Sequence, residues 1–169
     1  SAVINRRRHL KQVRYAFVGM LAILGLVIVW WMRPSAVIPT PDQMTLFSLD
    51  GRKMLKGGSD PTYDGEHFYR TPVLGKIDVA AAADRRHLMQ AMNEGLNDTG
   101  AVQAKCFWPR HGIRATTDGN TVDYLICFQC CQMQVYSGEQ KTTLFTIGNS
   151  PQEAFDRFIA AAGLPLAAD

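Results

Sequence analysis

The sequence predicts an α+β fold: a single N-terminal transmembrane helix, then a small extracytoplasmic domain with a mainly antiparallel sheet and two helices. Three observations predict it. An uninterrupted apolar stretch occupies residues 15–32. Beyond it, several short segments rich in β-branched residues alternate between apolar and polar side chains, as strands do. Two longer segments repeat their apolar residues at helical spacing.

The apolar stretch has the length of a membrane span. Its 18 residues would rise about 27 Å as a helix, close to a hydrocarbon core of about 30 Å. Trp30 and Trp31 stand at its end, where indole rings favour the interface between lipid and water. We therefore expect residues 15–32 to be a transmembrane helix.

A basic run precedes the apolar stretch and begins with three arginines, Arg6, Arg7 and Arg8. By the positive-inside rule, such a run stays in the cytoplasm, and it also attracts anionic lipid headgroups. Residues 1–14 are therefore expected to be a cytoplasmic arm on the lipid bilayer. The predicted location is the bacterial inner membrane, single-pass, with the C-terminal domain in the periplasm.

Three other interpretations of residues 6–32 compete with a membrane anchor. A cleaved signal peptide has a shorter apolar region of about 7–15 residues. A buried core helix is not normally flanked by a basic run and a proline-spaced linker. A twin-arginine export signal resembles this run, with His9 in place of the usual phenylalanine. If uncleaved, that signal would still anchor the chain.

Charge excludes nucleic acid as an expected partner. Five of the 18 basic residues precede position 15, which leaves 13 basic against 15 acidic residues in the remainder. A mildly acidic domain offers no basic stripe for phosphates. Residues 33–43 contain three prolines and are predicted to be an extended linker. Residues 44–169 have the length of one domain.

The first half of this domain is predicted to contain two strands and one helix. The strands cover 44–49 and 72–79, with a glycine-rich surface loop at 50–70 between them. The helix begins near Ala80, with Asp78 as its cap, and ends between Leu96 and Gly100.

The second half gives the clearest hairpin. Asp118 and Gly119 supply the turn between strands at 112–117 and 121–128. Two more strands are expected at 132–136 and 142–147. The last helix follows a capping box at 150–153, with Ser150 as the cap.

All four cysteines lie within 26 residues, at Cys106, Cys127, Cys130 and Cys131. An oxidising compartment favours a disulfide, and four cysteines allow three connectivities. We expect a bridge between Cys106 and Cys130, which would tie the irregular segment after the first helix to the end of the hairpin. A loop of that size is worth about 3 kcal/mol.

Two other uses of the cysteines remain open. The spacing of Cys127 and Cys130 is that of a zinc ligand pair, which Cys106 and His111 would complete as a Cys3His set. A thioredoxin-like dithiol is the second, although that pair normally opens a helix, and this one leaves a strand.

The segments 106–114 and 122–130 resemble a pattern found in small exported bacterial proteins of uncharacterised function. Their sequences are CFWPRHGIR and VDYLICFQC. The resemblance extends over about residues 66–166 and implies an exported α+β domain. It implies no catalytic residue.

Polar and aromatic side chains follow the first cysteine, and Trp108, Arg110 and His111 are the candidates for partner contacts. Arg110, His111 and Arg114 beside Asp123 are predicted to form a polar cluster across the hairpin. No nucleophile elbow, phosphate loop or haem motif is present, so no enzyme activity and no cofactor are expected.

Together these patterns predict a membrane-anchored accessory subunit. It would stabilise a larger assembly, for example a respiratory or photosynthetic complex, by binding other membrane protein subunits. The alternative is a redox or metal-handling envelope protein that uses Cys127 and Cys130. An enzyme centred on Arg110 and His111 is a third possibility.

Overall fold

A computed structural model describes residues 37–53 and 65–167, and every strand and helix in it lies beyond Ile38. The strands are β1 (Gln43–Leu49), β2 (His67–Phe68), β3 (Thr71–Asp78), β4 (His111–Thr117), β5 (Asn120–Cys127), β6 (Gln132–Ser137) and β7 (Gln140–Thr146). The helices are α1 (Ala82–Leu96) and α2 (Gln152–Ala161). A single 3-10 turn, Gly51–Lys53, follows β1.

The strands form one antiparallel sheet in the order β2-β3-β1-β4-β5-β6-β7. β1 lies in the middle, between β3 and β4, although it comes first in the chain. From β4 to β7 each strand pairs with the next one in sequence. This meander leaves β7 at one edge of the sheet.

The predicted fold class requires correction. An antiparallel sheet with two helices is present, but within 37–53 and 65–167 neither helix is long and apolar enough to cross a membrane. The helices have 15 and 10 residues. The span predicted at 15–32, its tryptophans and the basic arm lie outside the residues that the structure describes.

Apolar side chains divide between the two faces of the sheet. The larger core lies on one face and joins the strands to both helices through fully buried residues, among them Leu46, Leu88, Met92, Ile113, Ile126 and Phe155. A smaller cluster on the other face consists of Phe47, Leu49, Phe68 and Leu125. Successive residues of β5 alternate between the two clusters, as the pleat of a strand requires.

The hairpin of β4 and β5 has the predicted turn. Asp118 and Gly119 both have positive φ, 49° and 78°. Two successive residues with positive φ are typical of a type I′ turn, whose twist matches that of the two strands it joins. The prediction from Asp-Gly is confirmed here.

Both predicted helix caps are wrong. The residue before α1 is Ala81, and the residue before α2 is Pro151, and neither helix start has a side-chain cap. The carboxylate of Asp78 instead accepts a hydrogen bond from the hydroxyl of Thr45 across the sheet, at 2.6 Å. A strand partner therefore takes the side chain that the sequence assigned to the helix.

The end of the predicted linker is bound to α1. The amide of Ile38 donates to Oδ1 of Asn93 at 2.8 Å, and Nδ2 of Asn93 donates to the carbonyl of Ile38 at 2.9 Å. Arg85 also donates to the carbonyl of Pro41 at 3.0 Å. Residues 38–41 are thus part of the folded unit, which reaches to the described C-terminal end.

Candidate functional site

The turn between β5 and β6 brings two cysteines together. β5 ends at Cys127, and the chain reverses through hydrogen bonds from the amide of Cys130 to the carbonyl of Cys127 (3.2 Å) and from the amide of Cys131 to that of Phe128 (3.0 Å). Cys131 has a φ of 51°. This compact turn sets the Cα atoms of Cys127 and Cys130 5.1 Å apart, and their side chains form a disulfide.

A third sulfur lies against this disulfide. Sγ of Cys106 is 3.8 Å from Sγ of Cys130. Cys106 belongs to an irregular segment, 101–110, that hydrogen bonds hold to the turn. The amide of Ala104 donates to the carbonyl of Cys130 at 2.9 Å, and the side-chain amide of Gln132 donates to the carbonyls of Ala104 and Cys106.

The three cysteines differ in their exposure to solvent. Cys127 is 2% exposed and Cys130 is 1% exposed, whereas Cys106 is half-buried. Beside Cys106, Trp108 is 48% exposed, and its backbone N–H points to Sγ of Cys130 at 3.5 Å. Cys106 is therefore the most exposed residue of this group.

The predicted bridge between Cys106 and Cys130 is not the one observed. The structure pairs Cys130 with Cys127 and leaves Cys106 and Cys131 as free thiols. The turn decides the pairing, because it presents Cys127 to Cys130 from within the same hairpin. Chain entropy gives about 2 kcal/mol for so short a loop, which is less than for the longer loop of the predicted bridge.

The predicted metal set does not assemble. Among the described residues no group of three or more His, Cys, Asp or Glu side chains is arranged to hold a metal ion. Cys127 and Cys130 are bonded to each other, and the ring of His111 is engaged by Asp156. Two of the thiolates in the predicted Cys3His set are thus not available to a zinc ion in this form of the domain.

His111 lies in the core. It is 1% exposed, and its ring contacts Phe128 and Phe155. Nε2 is 2.8 Å from a carboxylate oxygen of Asp156, and since a carboxylate only accepts, Nε2 carries the proton. Nδ1 has no hydrogen-bond partner in the described part of the chain.

Burial sets the protonation of this pair. It lowers the pKa of His111, outweighing the hydrogen bond to Asp156 that raises it, and the nearby Arg110 charge lowers it further. Burial by itself raises the pKa of Asp156, but hydrogen bonds from His111 and Gln152 and the charge of Arg110 leave that pKa below its usual value. His111 is therefore a neutral core residue hydrogen-bonded to an ionised carboxylate.

A polar cluster lies on the opposite face of the hairpin. Two of its predicted members, Arg114 and Asp123, are present in it. Arg114 binds Asp123 with two nitrogens, at 3.0 and 2.8 Å, and the hydroxyl of Tyr69 lies 2.9 Å from the same carboxylate. The hydrogen bond to Asp123 raises the pKa of Arg114, whereas burial followed by the Asp123 hydrogen bond raises that of Tyr69. The guanidinium of Arg114 also lies over the ring of Phe68, at 5.4 Å.

Neither Arg110 nor His111 belongs to this cluster. Arg110 donates to the backbone carbonyl of Ala167. Tyr69 lies in the predicted loop 50–70 and reaches the cluster with a φ of 56°, a contact that the sequence did not predict. No local pattern marks such a residue, because its contacts depend on how the loop crosses the sheet.

Of the three predicted partner contacts, Trp108 is the exposed one. Arg110 is half-buried. His111 is buried, so its prediction as a contact residue is wrong: its place on β4 turns it toward α2.

The edge strand β7 presents a longer accessible surface. Every residue of β7 except Phe145 is exposed, including Leu144 at 42%. Within 37–53 and 65–167 no strand pairs with its outer side. Backbone N–H and C=O groups along such an edge remain free to bind another strand.

Comparison with known proteins finds no matching family model, no similar curated protein and no matching solved structure. The resemblance of residues 66–166 to small exported bacterial proteins therefore stays a prediction.

Proposed function

We propose that this protein is an accessory subunit that binds another membrane protein subunit by strand addition along β7. The observation that carries this proposal is the position of β7, a seven-residue strand at the end of the sheet with an exposed outer edge. An extended segment of a partner can add to such an edge through main-chain hydrogen bonds, and side-chain pockets then supply specificity.

The sequence of β7 does little to prevent such pairing. Natural edge strands are usually protected by charges, proline or a bulge. β7 has one charged residue, Lys141, and no proline. Its irregularity lies near the hairpin end, opposite Val135 and Tyr136, and pairing with β6 is regular from Thr143 to Thr146.

The opposite edge of the sheet is less suited to strand addition. β2 has only two residues. The next strand, β3, carries Lys76, which is bound to Glu66 at 2.7 Å, and ends at the charged Asp78. Charges on an edge disfavour strand addition. β7 is therefore the better of the two edges for a partner.

The irregular segment extends the surface beyond the end of β7. The side-chain amide of Gln103 donates to the hydroxyl of Thr146 at 2.8 Å. Val102 and Trp108 in that segment are large exposed hydrophobic residues. Aromatic residues are enriched in the cores of interfaces, so a partner strand on β7 has an apolar surface available at one end.

The location that accompanies the proposal is the periplasmic side of the bacterial inner membrane. Its support is the charge and hydropathy of residues 6–32, together with the disulfide of the domain, because disulfides persist in oxidising compartments. The proposed partners are subunits of an energy-converting assembly, a choice that rests on the sequence alone.

Two lysines on the edge test the proposal. We expect the full-length chain, purified in mild detergent from native membranes, to carry a stoichiometric partner. The double variant Thr142→Lys/Leu144→Lys should lose that partner by about tenfold or more, because edge lysines oppose strand addition. Quantitative mass spectrometry of the co-purified proteins is the measurement.

The matched control places two lysines elsewhere on the exposed surface, as Ala83→Lys/Thr99→Lys. It should keep the partner. Equal recovery with both double variants would rule out β7 as the binding surface.

A further inference from the structure

We propose that Cys106, Cys127 and Cys130 form a thiol–disulfide exchange site that oxidises substrate thiols. The buried Cys127–Cys130 disulfide holds the oxidising equivalents, and Cys106 passes them to the substrate. The substrate class is a pair of thiols, on one molecule or on two, of which glutathione is the simplest probe. This activity does not depend on strand addition at β7.

The sulfur of Cys106 is in contact with the disulfide. Sγ of Cys106 lies 3.8 Å from Sγ of Cys130, which is contact distance for two sulfur atoms. Cys130 is already bonded to Cys127. A thiolate attacks a disulfide at one sulfur and expels the other. The free thiol therefore contacts the central sulfur of a three-sulfur exchange.

The leaving sulfur accepts a hydrogen bond. The backbone N–H of Cys130 donates to Sγ of Cys127, at 3.2 Å. As the disulfide breaks, negative charge develops on that sulfur, and a hydrogen bond to a charged acceptor is stronger than one to a neutral acceptor. The turn thus provides a donor at the atom that becomes a thiolate.

The observed bridge closes a short loop. Its cysteines are three residues apart, whereas Cys106 and Cys130 are 24 apart. A disulfide restricts the unfolded chain less when its loop is shorter. Stabilisation therefore accounts poorly for the Cys127–Cys130 bridge, and it does not account for a free thiol kept against it.

The internal step conserves electrons. The Cys106 thiol loses its proton to solvent, and its thiolate forms a bond to Sγ of Cys130. The Cys127–Cys130 bond breaks, and its electron pair goes to Cys127, which takes up a proton from solvent. The product has a Cys106–Cys130 disulfide and a Cys127 thiol, so no external oxidant is consumed.

The external steps transfer two electrons from the substrate. A substrate thiolate attacks Sγ of Cys106, the most exposed residue of the three, which forms a mixed disulfide and releases the thiolate of Cys130. A second substrate thiolate then attacks the substrate sulfur of that mixed disulfide and releases Cys106. One substrate disulfide forms, and the domain gains two thiols.

Reaction with reduced glutathione tests the site. The full-length chain in detergent is incubated with glutathione without oxygen, quenched with acid, alkylated and mapped by mass spectrometry. We expect a transient glutathione adduct on Cys106 and a rise from two free thiols to four. Cys106→Ser should slow thiol release by about tenfold or more, because direct attack then has to reach a buried sulfur.

Cys131→Ser is the matched control, since Cys131 is also a half-buried free thiol beside the disulfide. It should leave the rate within about twofold of the unaltered chain. An adduct found on Cys131, or release from Cys106→Ser as fast as from the unaltered chain, would overturn the proposal.

A second variant tests the internal step without relying on Cys106→Ser. In Cys127→Ser the leaving sulfur is gone, so mild oxidation should trap a Cys106–Cys130 disulfide, detectable as a linked peptide. Free thiols at both positions after oxidation, or a bond from Cys130 to Cys131 instead, would contradict the exchange.

Discussion

At the scale of single residues, His111 shows how burial fixes a side chain's role. A histidine beside a carboxylate is a familiar acid–base arrangement, yet this ring is 1% exposed and packs on Phe128 and Phe155. A group that transfers protons has to reach its substrate. His111 instead contributes to stability, by filling the core in its neutral form and donating to Asp156.

Stability should depend on pH through His111. Burial lowers the pKa of His111 in the folded state below the ordinary value of 6.5. Below about pH 6.5 the unfolded chain therefore binds more protons than the folded chain. The free energy of unfolding falls there as the pH is lowered, by up to about 1.4 kcal/mol per pH unit. The loss stops below the folded-state pKa. Denaturant unfolding of the full chain between pH 8 and pH 5 measures this slope.

The His111→Gln variant should remove most of that slope, and His87→Gln, at an exposed position of α1, should keep it. If His111→Gln retained the full slope, the assignment of His111 as the buried neutral histidine would be wrong.

Asp123 should matter more than an ordinary surface carboxylate. It is 5% exposed and accepts hydrogen bonds from Arg114 and Tyr69. Asp123→Ala leaves both donors without this acceptor, at an expected cost of about 1–3 kcal/mol in the free energy of unfolding. The exposed pair of Arg157 and Glu153 gives the comparison, since Glu153→Ala should cost less than about 0.5 kcal/mol. Equal losses would mean that the cluster contributes no more than a surface ion pair.

At the scale of secondary structure elements, β4 packs closely against an aromatic cluster formed by Phe47 and Phe68. A Cβ placed on Gly112 would lie 2.8 and 2.9 Å from ring carbons of Phe68 and 3.1 Å from Leu49. Phe68 is 3% exposed and stacked on Phe47 at 4.2 Å, so its ring has little room to move. Only glycine fits at this position without displacing the aromatic cluster.

Gly112→Ala should therefore destabilise the domain by about 1–3 kcal/mol, as overpacking of a core does. Gly100→Ala is the control, because its nearest neighbour is the side chain of Asp98 at 3.3 Å in an exposed loop, and its cost should stay within about 0.5 kcal/mol. Thermal unfolding compares them. An unchanged melting temperature for Gly112→Ala would contradict the close packing described.

Local patterns predicted the elements better than their contacts. The Asp118–Gly119 turn and the alternation along β5 depend on neighbouring residues, and both could be predicted from the sequence. β2 was missed, because a strand of two residues has no period to detect. The two predicted helix caps were wrong. Asp78 binds Thr45 on a neighbouring strand, and the residue before α2 is Pro151, which provides no side-chain cap.

At the scale of the whole molecule, the candidate sites depend on topology. The sequence placed Cys106 near Cys130, and the structure does bring their sulfurs to 3.8 Å. The sequence could not show that Cys130 bonds to Cys127 instead, because that choice depends on the geometry of the β5–β6 turn. The edge position of β7 follows from the strand order, which no local segment encodes.

The central claim is that a partner strand lies along β7, and site-specific photo-crosslinking tests it most directly. A photoreactive amino acid replaces Leu144 on the edge or, as the control, Thr99 on the exposed loop after α1. Irradiation of native membranes should link Leu144, and not Thr99, to an extended segment of one membrane protein subunit. No adduct at Leu144, or the same adducts from both positions, would contradict strand addition at this edge.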